Sequence, residues 1–530
     1  MVMKRVNVLI LIIITISSIL LSSISSTQIS YGQQTSQTSF KDWATTWKEW
    51  ASIAWRYFQS GVGVDSYTGL HYATTIYHIF TDWDLGTYIM AILDAEKIGL
   101  IPSNGTWGAD YRLNKIFDFL ENRPLRSDGE AYWAYDAATG KETGGVTLPS
   151  DAGNLLLALD QVRTAHPEYA SRIASVLQRQ NFTGLASDSY FSNNDFYVQY
   201  SAGGFQAFGI AVPQLWNLSN MEKGQFVDVY GESIPKTWVT AEPLVLSLLE
   251  GKPNQIFEEV SYKVFKAQEK RYEDTGVLTA FSEGMYPTGN NYVYEWIVTG
   301  SGETWKSYYY QPWIEVDDPA IFTKIAFAYY ALYPSDYSKK LIDYVSSLET
   351  QQGFYEGYLE SGGVIGFLSD KTNGMILQAA RYALSNPVKS NFNTEYTSPN
   401  SLQSQISLTR NNTGISNATI NYKIYYPNST ALTNLSNKTD SNGQATFNVS
   451  LPEMTPSGNY TIQVQALSIS NSTVIQVINP KNPIIQTNDT PNTIMIIAIL
   501  AIITLAGTAT YLLKRNKGKQ PQSPEHRNKS

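Results

Sequence analysis

The chain has 530 residues, of which 43% are hydrophobic, a composition sufficient for more than one domain with a sizeable core. It contains no cysteine and only four histidines, which excludes disulfides and argues against zinc and iron–sulfur centres. Acidic residues outnumber basic ones, and the formal net charge of −8 argues against nucleic acid as a partner.

The chain begins with features typical of a secretory signal peptide. Lys4 and Arg5 precede a long apolar stretch that fades into small and polar residues. We therefore assign residues 1–33 to a signal peptide, with an uncleaved membrane anchor as the alternative.

Residues 38–387 are predicted to form an all-α domain. In WDLGTYIMAILDAEKIGL, Leu85, Ile89 and Ile92 share one helical face, and the pattern ends at Gly99. Similar patterns predict helices near 41–59, 111–120, 151–164, 169–179, 199–211, 241–250, 254–272, 319–332, 336–349 and 372–385, with a weaker one near 214–224. Strand signals are scarce before residue 391, so we expect an (α/α)6 toroid of helical hairpins.

Six of the predicted helices begin with a polar or acidic group. These starts are Asp82 and Asp84, Asp151, Gln199, Glu242, Asp317 and Asp318, and Asn373. In a toroid of six hairpins the inner helices run parallel, so these groups would surround one mouth. N-capping and the helix dipole explain each group singly. Aromatic neighbours such as Trp83, Tyr197 and Tyr355 suit sugar rings, although buried core remains the default interpretation of most aromatic residues.

Two further glutamates lie in predicted loops. Glu283 follows an apolar run in VLTAFSEG, and Glu356 lies among aromatic residues in GFYEGYLESGG. Such neighbours are expected to raise the pKa of a carboxyl group towards the range of a general acid. No G-x-S-x-G, P-loop or H-E-x-x-H motif is present, and the histidines are too scattered to predict a catalytic triad.

Residues 391–480 are predicted to form an Ig-like β-sandwich that serves as a stalk. Alternating runs such as QATFNVSLP and NYTIQVQAL, separated by turns, indicate short antiparallel strands. Nine glycosylation sequons lie in this segment and in the linker at 481–493, at Asn411, Asn417, Asn428, Asn434, Asn437, Asn448, Asn459, Asn471 and Asn488. They predict a glycoprotein, unless the Asn-, Ser- and Thr-rich composition produces them by chance.

Residues 494–513 are uncharged over a length that can cross a bilayer, and a basic segment follows at 514–530. The positive-inside rule then predicts one C-terminal transmembrane helix, a cytoplasmic tail and extracellular N-terminal domains. This is the topology of a single-pass protein of the cell membrane.

Eight stretches in order resemble the family catalogued as domain of unknown function 3131. They are TDWDLGTYIMAILDAEKIGLI, LPSDAGNLLLAL, YVQYSAGGFQAFG, TAEPLVLSLLEG, TGVLTAFSEG, KIAFAYYALYP, GFYEGYLESGG and TNGMILQAARYAL. The family is similar to (α/α)6-toroid glycoside hydrolases, including glucoamylase-like and β-1,2-glucan-degrading enzymes, so the resemblance implies a toroid and a glycan substrate. Its polar motif positions fall on Asp84, Asp151, Glu242, Glu283, Glu356 and Asn373. Where the family tends to carry an acid, this chain has Val198 and Gln199.

The leading hypothesis is a cell-surface glycoside hydrolase, inverting and cofactor-free, that acts on a polysaccharide or other glycan. We assign Glu283 as the acid, Asp84 or Asp151 as the base, and no metal, while a Ca²⁺ site stays open. The predicted substrate-binding residues are Glu242, Glu356, Gln199, Asn373, Trp83, Tyr197 and Tyr355. The alternatives are a non-catalytic glycan-binding or envelope-organising protein and a polysaccharide lyase with a tyrosine or histidine base.

Overall fold

The computed structural model describes residues 42–220, 224–251, 253–287, 292–310, 313–397 and 401–479. The predicted signal peptide, the linker, the predicted transmembrane helix and the C-terminal tail lie outside these ranges. Within them, a helical region with small sheets precedes a region made of strands alone.

The helical region contains a closed ring of six helices. In chain order the helices are α1 (Trp43–Trp55), α2 (Asp82–Ile98), α3 (Ala109–Asn122), α4 (Pro149–Ala165), α5 (Ala170–Arg179), α6 (Phe182–Ala186), α7 (Phe196–Ala207), α8 (Glu242–Leu249), α9 (Gln255–Thr275), α10 (Thr323–Leu332), α11 (Asp336–Val345) and α12 (Asp370–Ser385). Around the ring, α2, α4, α7, α8, α10 and α12 each pack against the next, and α12 closes on α2. Helices α1, α3, α9 and α11 pack outside it.

The expectation of an all-α domain is wrong, because several short sheets are inserted between the helices. Their strands are β1 (Ile79–Thr81), β2 (Ala134–Asp136), β3 (Phe226–Val229), β4 (Glu232–Pro235), β5 (Glu283–Met285), β6 (Tyr292–Val298), β7 (Thr304–Tyr309), β8 (Ala320–Phe322), β9 (Glu349–Thr350), β10 (Gly353–Leu359) and β11 (Val364–Leu368). They pair in antiparallel fashion as β1–β2, β3–β4, β5–β6–β7 and β8–β10–β11, with β9 on β10. The aromatic, glycine-rich stretches expected to be loops therefore form hairpins. The weak helical pattern near 214–224 yields only a 3₁₀ turn at Leu218–Asn220.

Local chemistry accounts for where the inner helices begin and how closely they pack. Thr81 and Asp84 form a reciprocal capping box at the start of α2, and Gly99 ends that helix in the left-handed conformation. Between α4 and α7, a Cβ on Gly204 would lie 2.0 Å from the carbonyl oxygen of Gly153, so the two backbones touch. The glycines of SDAGN and SAGGF are thus explained by helix packing.

The strand-only region consists of two antiparallel sheets of four strands each. Its strands are β12 (Val388–Thr397), β13 (Ser401–Arg410), β14 (Thr413–Gly414), β15 (Thr419–Tyr425), β16 (Ala431–Lys438), β17 (Gln444–Ser450), β18 (Gly458–Ala466) and β19 (Ile469–Val477). One sheet joins β12, β14 and β17 through β13, and the other has the order β16–β15–β18–β19. Strand β17 alternates buried and exposed residues along its whole length, as expected for a half-buried strand. The region contacts the helical part through the Tyr330 hydroxyl and Ser468 Oγ, 2.7 Å apart.

The predicted membrane topology is not supported. In the ranges that the structure covers, no helix is long and apolar enough to cross a membrane. The longest of these helices, α9, reads QIFEEVSYKVFKAQEKRYEDT, and a bilayer core does not accept that density of charge. We therefore withdraw the single-pass membrane localisation. The span predicted at 494–513 lies outside the described residues.

Candidate functional site

Charged side chains from the first turns of five inner helices lie close enough to interact. They are Asp84 on α2, Asp151 on α4, Glu242 on α8, Lys324 on α10 and Lys371 on α12. Directly inside the ring, a narrow cavity is lined by α2, α4, α8 and α12, with Trp83, Asn154, Glu242 and Lys371 among its walls. The mouth at the amino ends of the inner helices is therefore the candidate site.

Glu283 lies at this mouth, on a strand and not on the predicted loop. It is the first residue of β5 and is only 6% exposed. Its Oε1 accepts a hydrogen bond of 2.8 Å from the Tyr292 hydroxyl and lies 3.4 Å from Lys371 Nζ. A hydroxyl donor and an ammonium group suit an ionised carboxylate, so these contacts favour a proton acceptor over the predicted acid.

A glycine is required immediately after Glu283. A Cβ on Gly284 would lie 2.3 Å from Glu356 Oε1, far inside contact distance. The sequence SEG therefore allows β5 to approach a second carboxylate and sets the position of Glu283.

Lys371 links the acidic groups. Its Nζ donates a hydrogen bond of 2.9 Å to the Tyr292 hydroxyl. The same ammonium group lies over the rings of Trp83 and Tyr292. Burial by itself lowers the pKa of Lys371, but Glu283, Asp84 and Glu242 outweigh burial and raise it. Lys371 is therefore a permanent cation at this mouth.

Asp151 differs from Glu283 in its protonation. Burial, reinforced by the neighbouring Asp84, raises the pKa of Asp151 to about 8, although Lys371 opposes the shift. The Ser150 hydroxyl, 3.2 Å from Oδ1, is the hydrogen-bond partner of this carboxyl among the described residues. Asp151 is thus a carboxylic acid at neutral pH and can donate a proton.

Glu242 is a buried member of the same mouth. Its Oε2 lies 2.5 Å from Lys324 Nζ and accepts a hydrogen bond of 2.7 Å from the Ser282 hydroxyl. Burial raises the pKa of Glu242, while the Lys324 ammonium opposes the rise. Because Ser282 precedes Glu283, this bond also anchors β5 to the ring.

Three residues of the predicted site serve structural roles. Asp84 Oδ2 accepts hydrogen bonds from the backbone and side chain of Thr81, at 2.8 and 2.9 Å. Glu356 Oε2 accepts from Ser369 and Thr372 at the start of α12. The buried Asn373 side chain bonds both backbone groups of Phe354. Capping and strand–helix bridging account for these side chains, although the charge of Asp84 still acts on Asp151.

The remaining predicted residues divide between the mouth and other surfaces. Trp83 packs edge-on against Tyr197, with ring centroids 5.9 Å apart, and both line the site. The buried Tyr197 hydroxyl has no hydrogen-bond partner among the described residues, so it is available to a ligand. Gln199 instead donates to the carbonyl oxygen of Trp216 and faces a separate groove. Tyr355 is half-buried in β10 and makes no described contact with the acidic groups.

Sequence reasoning missed Lys371, Lys324 and Tyr292. A signal for the two lysines was present, because a cation in the first turn opposes the helix dipole and needs acidic partners. Lys371 stands between Asp370 and Asn373 at such a position. Tyr292 gave no signal, since only the pairing of β5 with β6 brings it to Glu283.

The fold and site define a class of protein: a ring of six helices with carboxyl and ammonium groups gathered at the helix amino ends. The family model described as protein of unknown function (DUF3131) matches residues 49–386, so the chain belongs to this family. The resemblance seen in the eight motifs is thereby confirmed, and the match includes every residue of the mouth.

Other comparisons add little. No curated protein sequence matches the chain. Among solved structures, one titled "Crystal structure of D-mannose isomerase" is similar at 10% identity, covering 66% of this chain and 100% of that chain, with a TM-score of 0.42. A similarity of that size carries no argument about function.

Proposed function

We propose that the chain is a glycoside hydrolase with Asp151 as general acid and Glu283 as general base. The observation that carries the proposal is the contrast between the two carboxyl groups: the raised pKa of Asp151 keeps it protonated, while Glu283 accepts a hydrogen bond from the Tyr292 hydroxyl beside an ammonium group. Two carboxyl groups of opposite protonation are what glycosidic cleavage requires. The roles are the reverse of those expected from the sequence.

In the proposed hydrolysis, one carboxyl group gives a proton and the other accepts one. Asp151 gives its proton to the glycosidic oxygen as the bond to the anomeric carbon breaks. A water molecule attacks that carbon, and Glu283 accepts the proton that the water releases, giving a product of inverted configuration. Nuclear magnetic resonance of the first product would show the inverted anomer, whereas a retained anomer would contradict the role of Glu283 as base.

The other residues at the mouth support substrate binding in this proposal. Tyr197 offers a free hydroxyl, and Trp83 offers an aromatic face beside it. Such pairs of a ring and a polar group suit the two faces of a sugar. Glu242 is placed to orient a substrate hydroxyl from inside the ring.

The test begins with a screen of polysaccharides for release of reducing ends, followed by two variants. Glu283→Gln is expected to lower kcat by about 10³-fold on every substrate. Asp151→Asn is expected to lose activity on the polysaccharide but to keep it on glycosyl fluorides, whose leaving group needs no proton. Glu258→Gln, at an exposed first-turn position of α9, is the control.

A second candidate is a glycan-binding protein without hydrolysis. The observation that favours it is that Glu283 and Glu242 are each held by a lysine, which reduces their capacity to accept a proton. Full activity of Glu283→Gln would exclude the assigned base. Glycan binding without any release of reducing ends would establish this second candidate.

A further inference from the structure

A row of aromatic rings leads from Glu283 to the protein surface along the β5–β6–β7 sheet. Tyr292, Tyr294 and Trp296 alternate along β6 and so share one face of the sheet. The Tyr292 ring lies 5.4 Å from Tyr294, and the Tyr294 ring is stacked on Trp313 at 5.8 Å. The row is continuous, because each ring contacts the next.

The outer end of the row is open to solvent. Trp313 is 50% exposed, and the neighbouring Tyr310 is 47% exposed, with ring centroids 6.5 Å apart. Tyr294 is stacked on Trp313 and Tyr308 lies at a tilted angle to it, so neighbouring rings hold the exposed indole in place. An exposed tryptophan that is fixed by a second ring offers a flat surface of defined orientation.

The backbone at Trp313 is unfavourable for a bulky residue. Its φ is 60°, in the left-handed region where glycine is usual. The segment after Trp313 folds back antiparallel to β7, and the amide of Tyr309 donates to the carbonyl oxygen of Ile314. The reversal of the chain at Trp313 therefore places its ring beside the sheet that carries Tyr294.

We propose that Trp313, Tyr310 and Tyr294 form an outer subsite for an extended, uncharged glycan chain whose inner end reaches Glu283. This inference rests on the proposed function and adds the substrate class. The rings contribute no charge, and the cation at the inner end, Lys371, is already paired with Glu283, so it does not supply a partner for a uronic acid. The continuity of the row, through the Tyr292 hydroxyl on Glu283, is what identifies a glycan as the occupant.

The experiment is affinity electrophoresis of the full chain in gels that contain barley β-glucan, yeast mannan, wheat arabinoxylan or polygalacturonate. We expect at least one neutral polymer to retard the chain and polygalacturonate not to do so. Trp313→Ala should weaken the apparent affinity by roughly tenfold, as expected for loss of one stacking surface. Trp313→Phe should restore most of it. Tyr262→Ala, which removes an exposed ring from the outer helix α9, is the matched control and should change nothing.

The outcomes separate this inference from the proposed function. Unchanged affinity of Trp313→Ala would overturn the subsite, whatever the hydrolytic activity. Equal binding of polygalacturonate would overturn the uncharged substrate class. Retardation without release of reducing ends would overturn the hydrolase while leaving the subsite in place. If no polymer retards the chain, or if Trp313→Ala alters only the oligomeric state seen by light scattering, the subsite is wrong.

Discussion

The two ends of the helical ring carry ion pairs of opposite character. At the carboxyl ends, Arg381 late in α12 contacts Asp94 late in α2 and the carbonyl oxygen of Leu249, the last residue of α8. A cation there agrees with the helix dipole. At the amino ends, Lys324 and Lys371 oppose the dipole and are held by carboxylates.

The difference indicates which end is kept for stability and which for chemistry. Arg381 is partly exposed, agrees with the dipole and also binds a backbone carbonyl, so its pairing with the buried Asp94 needs no further explanation. Cations placed against the dipole, beside a carboxyl group with a pKa of about 8, carry an electrostatic cost. Such costs are concentrated at functional sites.

The largest expected loss of stability is at the carboxyl ends. Arg381→Met should lower the free energy of unfolding by about 3 kcal/mol, because it leaves Asp94 buried without its cation. Urea denaturation would measure the loss. The pH profile of glycan cleavage should be unchanged, and a shift in that profile would show that the two ends are not separate in function.

The inner helices and their polar first turns could be predicted from the sequence, but the contacts between distant segments could not. Helix periodicity located the inner helices to within a few residues, and polar first turns identified Asp151 and Glu242. Both depend on local pattern, which a sequence displays directly.

The failures concern contacts between segments distant in sequence. Gln199, like Glu242, lies in the first turn of an inner helix, but its side chain donates to the carbonyl oxygen of Trp216 and not to the acidic groups. Glu356 has the aromatic neighbours of a catalytic acid, yet its oxygens are used by the start of α12. The hairpins that deliver Glu283 were hidden because glycine- and tyrosine-rich strands resemble loops in composition.

An effect of opposite sign, a gain of stability, is expected at the amino ends. Asp151 has a folded pKa of about 8, raised from 3.8. Its contribution to stability is therefore fully present below pH 4 and is lost as pH rises to 8. Asp151→Asn should remove this loss and raise the free energy of unfolding at pH 8. The pKa difference between 3.8 and about 8 sets an upper limit of about 5 kcal/mol on this gain. Urea denaturation at pH 4, 6 and 8 would measure the gain.

The result at pH 4 is the internal control, because both chains are uncharged at position 151 there and should have similar stability. A gain of the same size at pH 4 and at pH 8 would show that packing, and not ionisation, is responsible. Destabilisation at pH 8 would mean that Asp151 is a structural acid, and the two ends of the ring would then be alike.

The smallest expected effect tests Lys371 itself. This ammonium lowers the pKa of Asp151, so Lys371→Met should raise that pKa further. The stability gained by Asp151→Asn should then level off at a higher pH than the value of about 8 expected without Lys371→Met. Comparing four chains in a double-mutant cycle measures the shift without any substrate. Lys340→Met, which removes an exposed cation from α11, is the control and should leave the levelling at pH 8.

If Lys371→Met does not change the pH at which the stability gain levels off, Lys371 acts on Glu283 alone, whose Oε1 is 3.4 Å away. If the gain levels off at a lower pH, Lys371 does not lower the pKa of Asp151, and the sign of their interaction is contradicted. A shift of the expected direction would instead show that one cation acts on both carboxyl groups. That coupling is what allows Asp151 to keep a proton at neutral pH while still releasing it to a substrate, because Lys371 limits the rise that burial and Asp84 produce.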